Sequence, residues 1–212
     1  MLPITQELVA VGRANRPGYA MTPEYITIHN TDNEEAGAGA LAHSSFIRTT
    51  DSTTSWHFTV DDKYIIQHIP VNENAWHAGD GRDGTGNRYS IGIEICMNPE
   101  CDEATANRNA ADLAAYLIET VPSLKPFPEC IKQHYDWTGK DCPSRIRARG
   151  QWDGFIDMIR QEVKAVPDWM TTAIKELENR GILTIGTWKG NETLNMGTMA
   201  AIIVKVLKYL GK

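Results

Sequence analysis

Residues 90–96, SIGIEIC, restrict the fold more than any other stretch of the chain. Isoleucines at 91, 93 and 95 alternate with Gly92 and Glu94, and Cys96 closes the run. A strand this apolar needs cover on both faces, so it belongs in the middle of a sheet packed by helices. The surroundings agree. Residues 25–29 read as another strand, and residues 130–134 as a shorter one. SWHFTV, a turn at Asp61, Asp62 and Lys63, and YIIQHI read as a β-hairpin. Residues 39–48 and 104–121 have helical spacing. The second of these is the longest helix, with Leu113, Tyr116, Leu117 and Ile118 on its core side. Short strands mixed with helices predict an α/β domain built on one central sheet.

A boundary follows this domain. Residues 151–166 carry Trp152, Phe155, Ile156 and Ile159 at helical spacing, and Pro167 breaks the pattern. The reading is a first domain over 1–163, a linker at 164–167 and a small helical hairpin over 168–212. In the hairpin, Trp169, Ala173, Ile174 and Leu177 share one face, Gly181 suits the helix stop, and TMAAIIVKVLKYL forms the second helix. Residues 167–212 hold six Lys or Arg against four Asp or Glu, a net of +2, while the remainder is net −8. Segments of opposite charge suggest different partners.

The net charge of −6 disfavours a generic nucleic-acid binder. No apolar run approaches the ~20 residues that span a bilayer, so membrane insertion is not expected. The first residues, MLPITQELVAVGRANR, lack the basic start and apolar core of a Sec leader. Four cysteines in 212 residues are too few for a disulfide scaffold.

Three places carry candidate chemistry. His29 ends the strand YITIH and opens the turn Asn30-Thr31-Asp32, where site residues collect. His134 precedes a loop that delivers Cys142, and two His with one Cys fit a three-ligand Zn²⁺ site with an open fourth position. Glu94 lies on the strand face opposite Ile91, Ile93 and Ile95. A carboxylate there is either a salt-bridged core residue or a general base with a raised pKa beside a metal-activated water. Lys140, two residues before Cys142, is either solvated or an oxyanion stabiliser. Cys96, Cys101 and Cys130 read as small buried or loop thiols.

The motifs YITIHNT, SWHFTVDD, ENAWHAGDG, GNRYSIGIEICMN and HYDWTGKDCP, in that order over roughly residues 1–160, resemble the zinc-dependent N-acetylmuramoyl-L-alanine amidases. This is the type-2 amidase family, related in fold to peptidoglycan recognition proteins. The resemblance is nearest to endolysins of phages and prophages of Bacillus-like hosts. It implies a central mixed β-sheet flanked by helices, one Zn²⁺ per chain held by His29, His134 and Cys142, and Glu94 and Lys140 as catalytic residues. It also implies that His77, in WHAG, and Trp56 line the substrate cleft. Some relatives carry a catalytic Tyr where this chain has Trp56. Indole has no ionisable hydroxyl, which leaves more of the acid–base work to Glu94.

The implied function is hydrolysis of the amide between N-acetylmuramic acid and the L-alanine of the stem peptide, with bacterial peptidoglycan as the partner. Synthesis in the host cytoplasm without a leader, followed by holin-type release to the wall, goes with it. The C-terminal 46 residues loosely resemble one S-layer-homology-like unit. They would bind a wall polymer, and they need either the first domain or a second copy, as a homodimer, to cover their apolar side. The alternatives are a non-catalytic recognition module of the same fold and a host autolysin. Cys142, Glu94 and Lys140 together favour catalysis.

Overall fold

Ser90–Ile95 forms strand β5 in the computed structural model, which describes residues 1–163. The expected linker at 164–167 and the helical hairpin at 168–212 lie outside the described residues. The other strands are β1 (Ile4–Gln6), β2 (Tyr25–Asn30), β3 (Phe58–Val60), β4 (Ile65–Gln67) and β6 (Ile131–Gln133). They form one sheet in the order β1-β4-β3-β5-β2-β6. β5 runs parallel to both β2 and β3, and β6 runs parallel to β2. The β3–β4 pair is the expected antiparallel hairpin, and β1 adds a parallel edge to β4. The sheet is therefore mixed, with β5 inside it as its apolar sequence requires.

The two faces of the sheet differ in chemistry. Ile26 and Ile28 of β2, Phe58 and Val60 of β3, and Ile91, Ile93 and Ile95 of β5 share one face, and none exceeds 1% exposure. Helix α3 (Glu103–Thr120) packs against β3, β5 and α6 (Trp152–Glu162). The other face carries Thr27, His29, His57, Thr59, Ser90, Gly92 and Glu94. On this second face a buried polar layer takes the place of a second apolar core. Helix α1 (Ala40–Thr49) packs beside β3 and β4 and buries Ala40 against Ile66 and Cys96.

Helix α3 corrects one expectation. Leu113, Leu117 and Ile118 are buried, but Tyr116 is 41% exposed. It falls in the least-buried stripe of the helix, with Arg108, Asp112 and Thr120 at four-residue spacing, so its ring faces outward. The helix starts at Asp102, whose side chain accepts from the Thr105 N–H. On α6, Phe155 and Ile159 are buried, while Trp152 and Ile156 are only half-buried. Three short helices, α2 (Thr85–Tyr89), α4 (Tyr135–Thr138) and α5 (Ser144–Ala148), fall where the periodicity is too brief to read. Strand β1 is also too short to show in the pattern. All four cysteines are free thiols.

Candidate metal centre and active site

The parallel strands β2, β5 and β6 deliver their residues to one edge of the sheet. His29 sits at the C-terminal end of β2, in register with Glu94 on β5. His134 follows the last residue of β6, and its N–H reaches the Ile28 carbonyl at 3.4 Å. Crevices outside the carboxyl ends of parallel strands are where α/β sheets bind ligands. Cys142 arrives by a turn. Helix α4 ends at Gly139, whose φ of 77° suits the left-handed cap that glycine adopts without strain. The chain then folds back, and the Tyr135 N–H donates to the Cys142 carbonyl at 3.0 Å.

Three donor atoms converge as a result. Nδ1 of His29 lies 3.1 Å from Nδ1 of His134 and 3.6 Å from Sγ of Cys142. All three residues are buried, and their ligand atoms lie within 4.8 Å of one another. The hydrogen bonds on the far sides of the rings make this a fit for a cation. Nε2 of His29 faces Nδ1 of His77 at 3.0 Å, and the Ala78 carbonyl accepts a hydrogen bond from the His134 ring. The two Nδ1 atoms face each other across 3.1 Å, and with both lone pairs turned inward they would repel. A positive charge between them removes that repulsion. Burial holds His29 well below its usual pKa, with His77, His134 and Lys140 adding to the effect, and burial likewise lowers His134. Both rings are therefore neutral and able to ligate. Burial pushes the Cys142 thiol up to about 12, so a bound cation is what would make it a thiolate.

Glu94 stands beside this cluster, with Oε1 3.9 Å from Nδ1 of His29. Its Oε2 is buried without a hydrogen-bond partner. Burial pushes its pKa up to about 8, with Lys140 opposing the shift and Asp32 adding to it. A salt-bridged core Glu would have both oxygens satisfied and a low pKa, so the geometry favours the proton-transfer alternative. Lys140 lies 3.7 Å from Asp32, which adopts a positive φ of 50°. A cleft of about 560 Å³ opens at this point. Glu94, Lys140, Asp32, Trp56, His43 and Phe46 are among its walls.

The expected residues thus come together, with one exception. His29, His134 and Cys142 form the cluster, Glu94 and Lys140 face the cleft beside it, and Trp56 lines the cleft. The indole N–H of Trp56 donates to Oγ1 of Thr59 at 2.7 Å, which fixes the ring. His77 is the correction. It is 6% exposed and lies behind His29 and away from the cleft, because the WHAG segment is held inward by Asn87, whose Oδ1 accepts from the N–H groups of both His77 and Ala78. A Gly-rich stretch, 79–86, follows. Asp80 there receives the Gly86 and Asn87 N–H groups at the start of α2. Three histidines escaped the sequence reading, among them His68, which is buried with its Nε2 2.9 Å from Oγ1 of Thr59. His43 lies on the cleft wall, with its Nε2 buried and unpartnered. His57 is a scaffold residue: its Nδ1 accepts the Gly92 N–H, and its Nε2 reaches the Glu73 carbonyl at 2.9 Å. Alternation in SWHFTV puts His57 on the face of Thr59, which is the signal that could have found it.

Comparison with known proteins decides the lineage. Residues 19–145 match the family described as N-acetylmuramoyl-L-alanine amidase, over more than half of the chain. The chain belongs to the N-acetylmuramoyl-L-alanine amidase family. It is 51% identical over 156 residues to the N-acetylmuramoyl-L-alanine amidase XlyA of Bacillus subtilis (strain 168), covering 73% of this chain and 50% of that protein. It is 45% identical over 161 residues to the amidase CwlH of the same organism, covering 75% of this chain and 62% of that protein. The chain therefore matches only half to five-eighths of these relatives' length. Among solved structures, the catalytic domain of XlyA superposes with a TM-score of 0.70 at 49% identity, over 74% of this chain and 99% of that one. The amidase fold expected from the five motifs, with its mixed sheet and flanking helices, is the fold observed.

Proposed function

We propose that this member of the amidase family hydrolyses the amide joining the lactyl group of N-acetylmuramic acid to the L-alanine of the stem peptide, and that it acts as a phage or prophage endolysin. The convergence of His29, His134 and Cys142 beside the unpaired Glu94 carboxyl is the observation that carries this reading. The donor set suits zinc. Zn²⁺ held by these three residues would supply Lewis acidity and lower the pKa of a water toward about 7.

The chain's own groups account for the rest. Two neutral imidazoles and one thiolate leave a net single positive charge at the site. Glu94, in reach of the same point, takes a proton from the attacking water and later delivers it to the leaving amine of L-alanine. Without a cation, burial raises Glu94 to about 8. A cation nearby lowers it toward the range where it can accept a proton at neutral pH. Lys140, on the cleft wall, faces the charge that develops on the carbonyl oxygen. Asp32 keeps the ammonium near the cleft through their 3.7 Å ion pair. Trp56, Phe46 and Ala42 give the cleft an apolar wall suited to lactyl and alanyl methyl groups.

The direct test is the release of N-terminal L-alanine from purified walls, with and without a chelator. Release that stops with chelator and returns with zinc supports the reading. Wall binding without release makes the protein a recognition module. Lys140→Ala should lower kcat by about 10² and leave KM nearly unchanged. A change confined to KM moves Lys140 to substrate binding.

For residues 168–212 the proposal is a wall-binding or self-associating segment, resting on the net charge of +2 and the apolar pattern at Ile202, Ile203, Val204, Val206 and Leu207. A chain ending at Val163 should keep its metal and its activity on small soluble muropeptides but lose affinity for intact walls. Equal binding by the truncated and full-length proteins refutes an anchoring role. Light scattering on the full-length protein tests the homodimer.

A further inference from the structure

His77 is fixed from every side. Its backbone N–H donates to Asn87 Oδ1 at 2.9 Å, and its Nε2 lies 3.2 Å from the Ser90 carbonyl. Its ring sits so close to β5 that a Cβ on Gly92 would meet it at 2.8 Å. Its Nδ1 lies 3.0 Å from Nε2 of His29. The Ser90 hydroxyl stands farther off, 3.5 Å from the same Nε2, and has its own partner in Thr27 Oγ1 at 2.5 Å, so the carbonyl sets the proton assignment. A carbonyl can only accept, so Nε2 of His77 carries the ring's one proton and donates it to Ser90. Nδ1 of His77 is then a bare acceptor, and Nε2 of His29 must be the donor. The proton of His29 is thereby held on the far side from Cys142 and His134, and its Nδ1 lone pair points at them.

We propose that His77 is a positioning residue that selects the tautomer of His29, so that the Nδ1 lone pair stays available to the cation at the three-donor cluster. The inference rests on the metal reading given under Proposed function. With His77 gone, His29 exchanges freely between two tautomers, and one of these aims a proton at the metal. The ring also loses the contact that fixes its orientation. The acceptor on a metal-bound histidine's second nitrogen commonly changes metal affinity by about 10–100-fold.

Two measurements on the full-length protein test this. In metal-stripped wild type, two-bond proton–nitrogen correlation spectra report the tautomers directly. Both His29 and His77 are expected to carry the proton on Nε2, and a proton on Nδ1 of His29 overturns the proposal. The second measurement is zinc affinity by competition with a chromophoric chelator. His77→Leu, which has no acceptor, should bind zinc about 10–100-fold more weakly. His77→Asn places Oδ1 near the former Nδ1 and should recover most of that loss. No loss in His77→Leu, or an equal loss in both variants, overturns the proposal. If His77→Leu fails to fold by circular dichroism, Gly92→Ala takes its place, because it displaces the His77 ring and leaves every ligand intact. Unchanged zinc affinity in that variant is again the overturning result. A wild-type chain that binds no zinc defeats the metal reading itself. That outcome is distinct from a chain that binds zinc whatever occupies position 77.

Discussion

Glu94→Gln is expected to keep the fold and one zinc per chain while losing at least about 10²-fold in turnover on peptidoglycan. The amide preserves the shape of the carboxyl, but it cannot take a proton. The loss should fall on kcat, because the residue acts on the reacting water. A zinc-loaded Glu94→Gln protein that lyses walls normally removes Glu94 from the chemistry. The same substitution should act in the opposite direction on stability. In the metal-free protein the folded carboxyl titrates near 8, against 4.5 for its ordinary value. Between those pH values the native state binds the extra proton, so stability falls as pH rises through this window. The ceiling is about 1.4 kcal/mol per pH unit, a few kcal/mol in all. Metal-free Glu94→Gln should therefore melt higher than metal-free wild type at pH 8, and the difference should vanish near pH 4. A lower melting temperature at pH 8 contradicts the burial argument. Loss of activity with a gain in stability is the signature expected of a functional carboxylate held in a costly place.

Cys142→Ala is expected to abolish stoichiometric zinc, read by elemental analysis, and to lower wall lysis by at least about 10³-fold. Lewis-acid stabilisation is worth several kcal/mol, and each 1.4 kcal/mol is a factor of ten. The fold should survive, because Cys142 lies on the loop between α4 and α5 and its thiol makes only long contacts of 3.6 and 3.9 Å. Cys142→Asp keeps an anionic ligand and should hold zinc more weakly than wild type but more tightly than Cys142→Ala. Full zinc occupancy in Cys142→Ala would mean that the three donors are not the site.

Much of this was legible along the chain. The apolar run Ile91–Ile93–Ile95 points to an interior strand, and β5 is that strand, with the three isoleucines on one covered face and Gly92 and Glu94 on the buried polar face. Alternation then assigns Glu94 to the face opposite the isoleucines, and the register beside His29 follows once β2 and β5 are parallel neighbours. The candidate ligands His29, His134 and Cys142 could be named through the family resemblance, because each ends a strand or sits in a short loop with its own motif. Local periodicity and motif order are properties of contiguous residues, so a sequence can display them.

The direction in which WHAG faces is a different kind of fact. Nothing local distinguishes a cleft-lining His77 from one packed behind a ligand. That choice depends on Asn87, ten residues on, holding the backbone, and on Gly92 leaving room for the ring against β5. Tyr116 belongs to the same class. Its spacing from Leu113 suits a core position, but α3 packs along a line that leaves the stripe of Arg108, Asp112 and Tyr116 outward. The unpaired Oε2 of Glu94 and the facing Nδ1 atoms of His29 and His134 also exist only in the folded chain. The sequence by itself determined the longer strands and helices, the family and the candidate ligands, because these reside in short-range pattern. The tertiary structure alone decided which buried groups face each other, and with that the environment and orientation of each ring, because the partners of His29 come from residues 48 and 105 positions away.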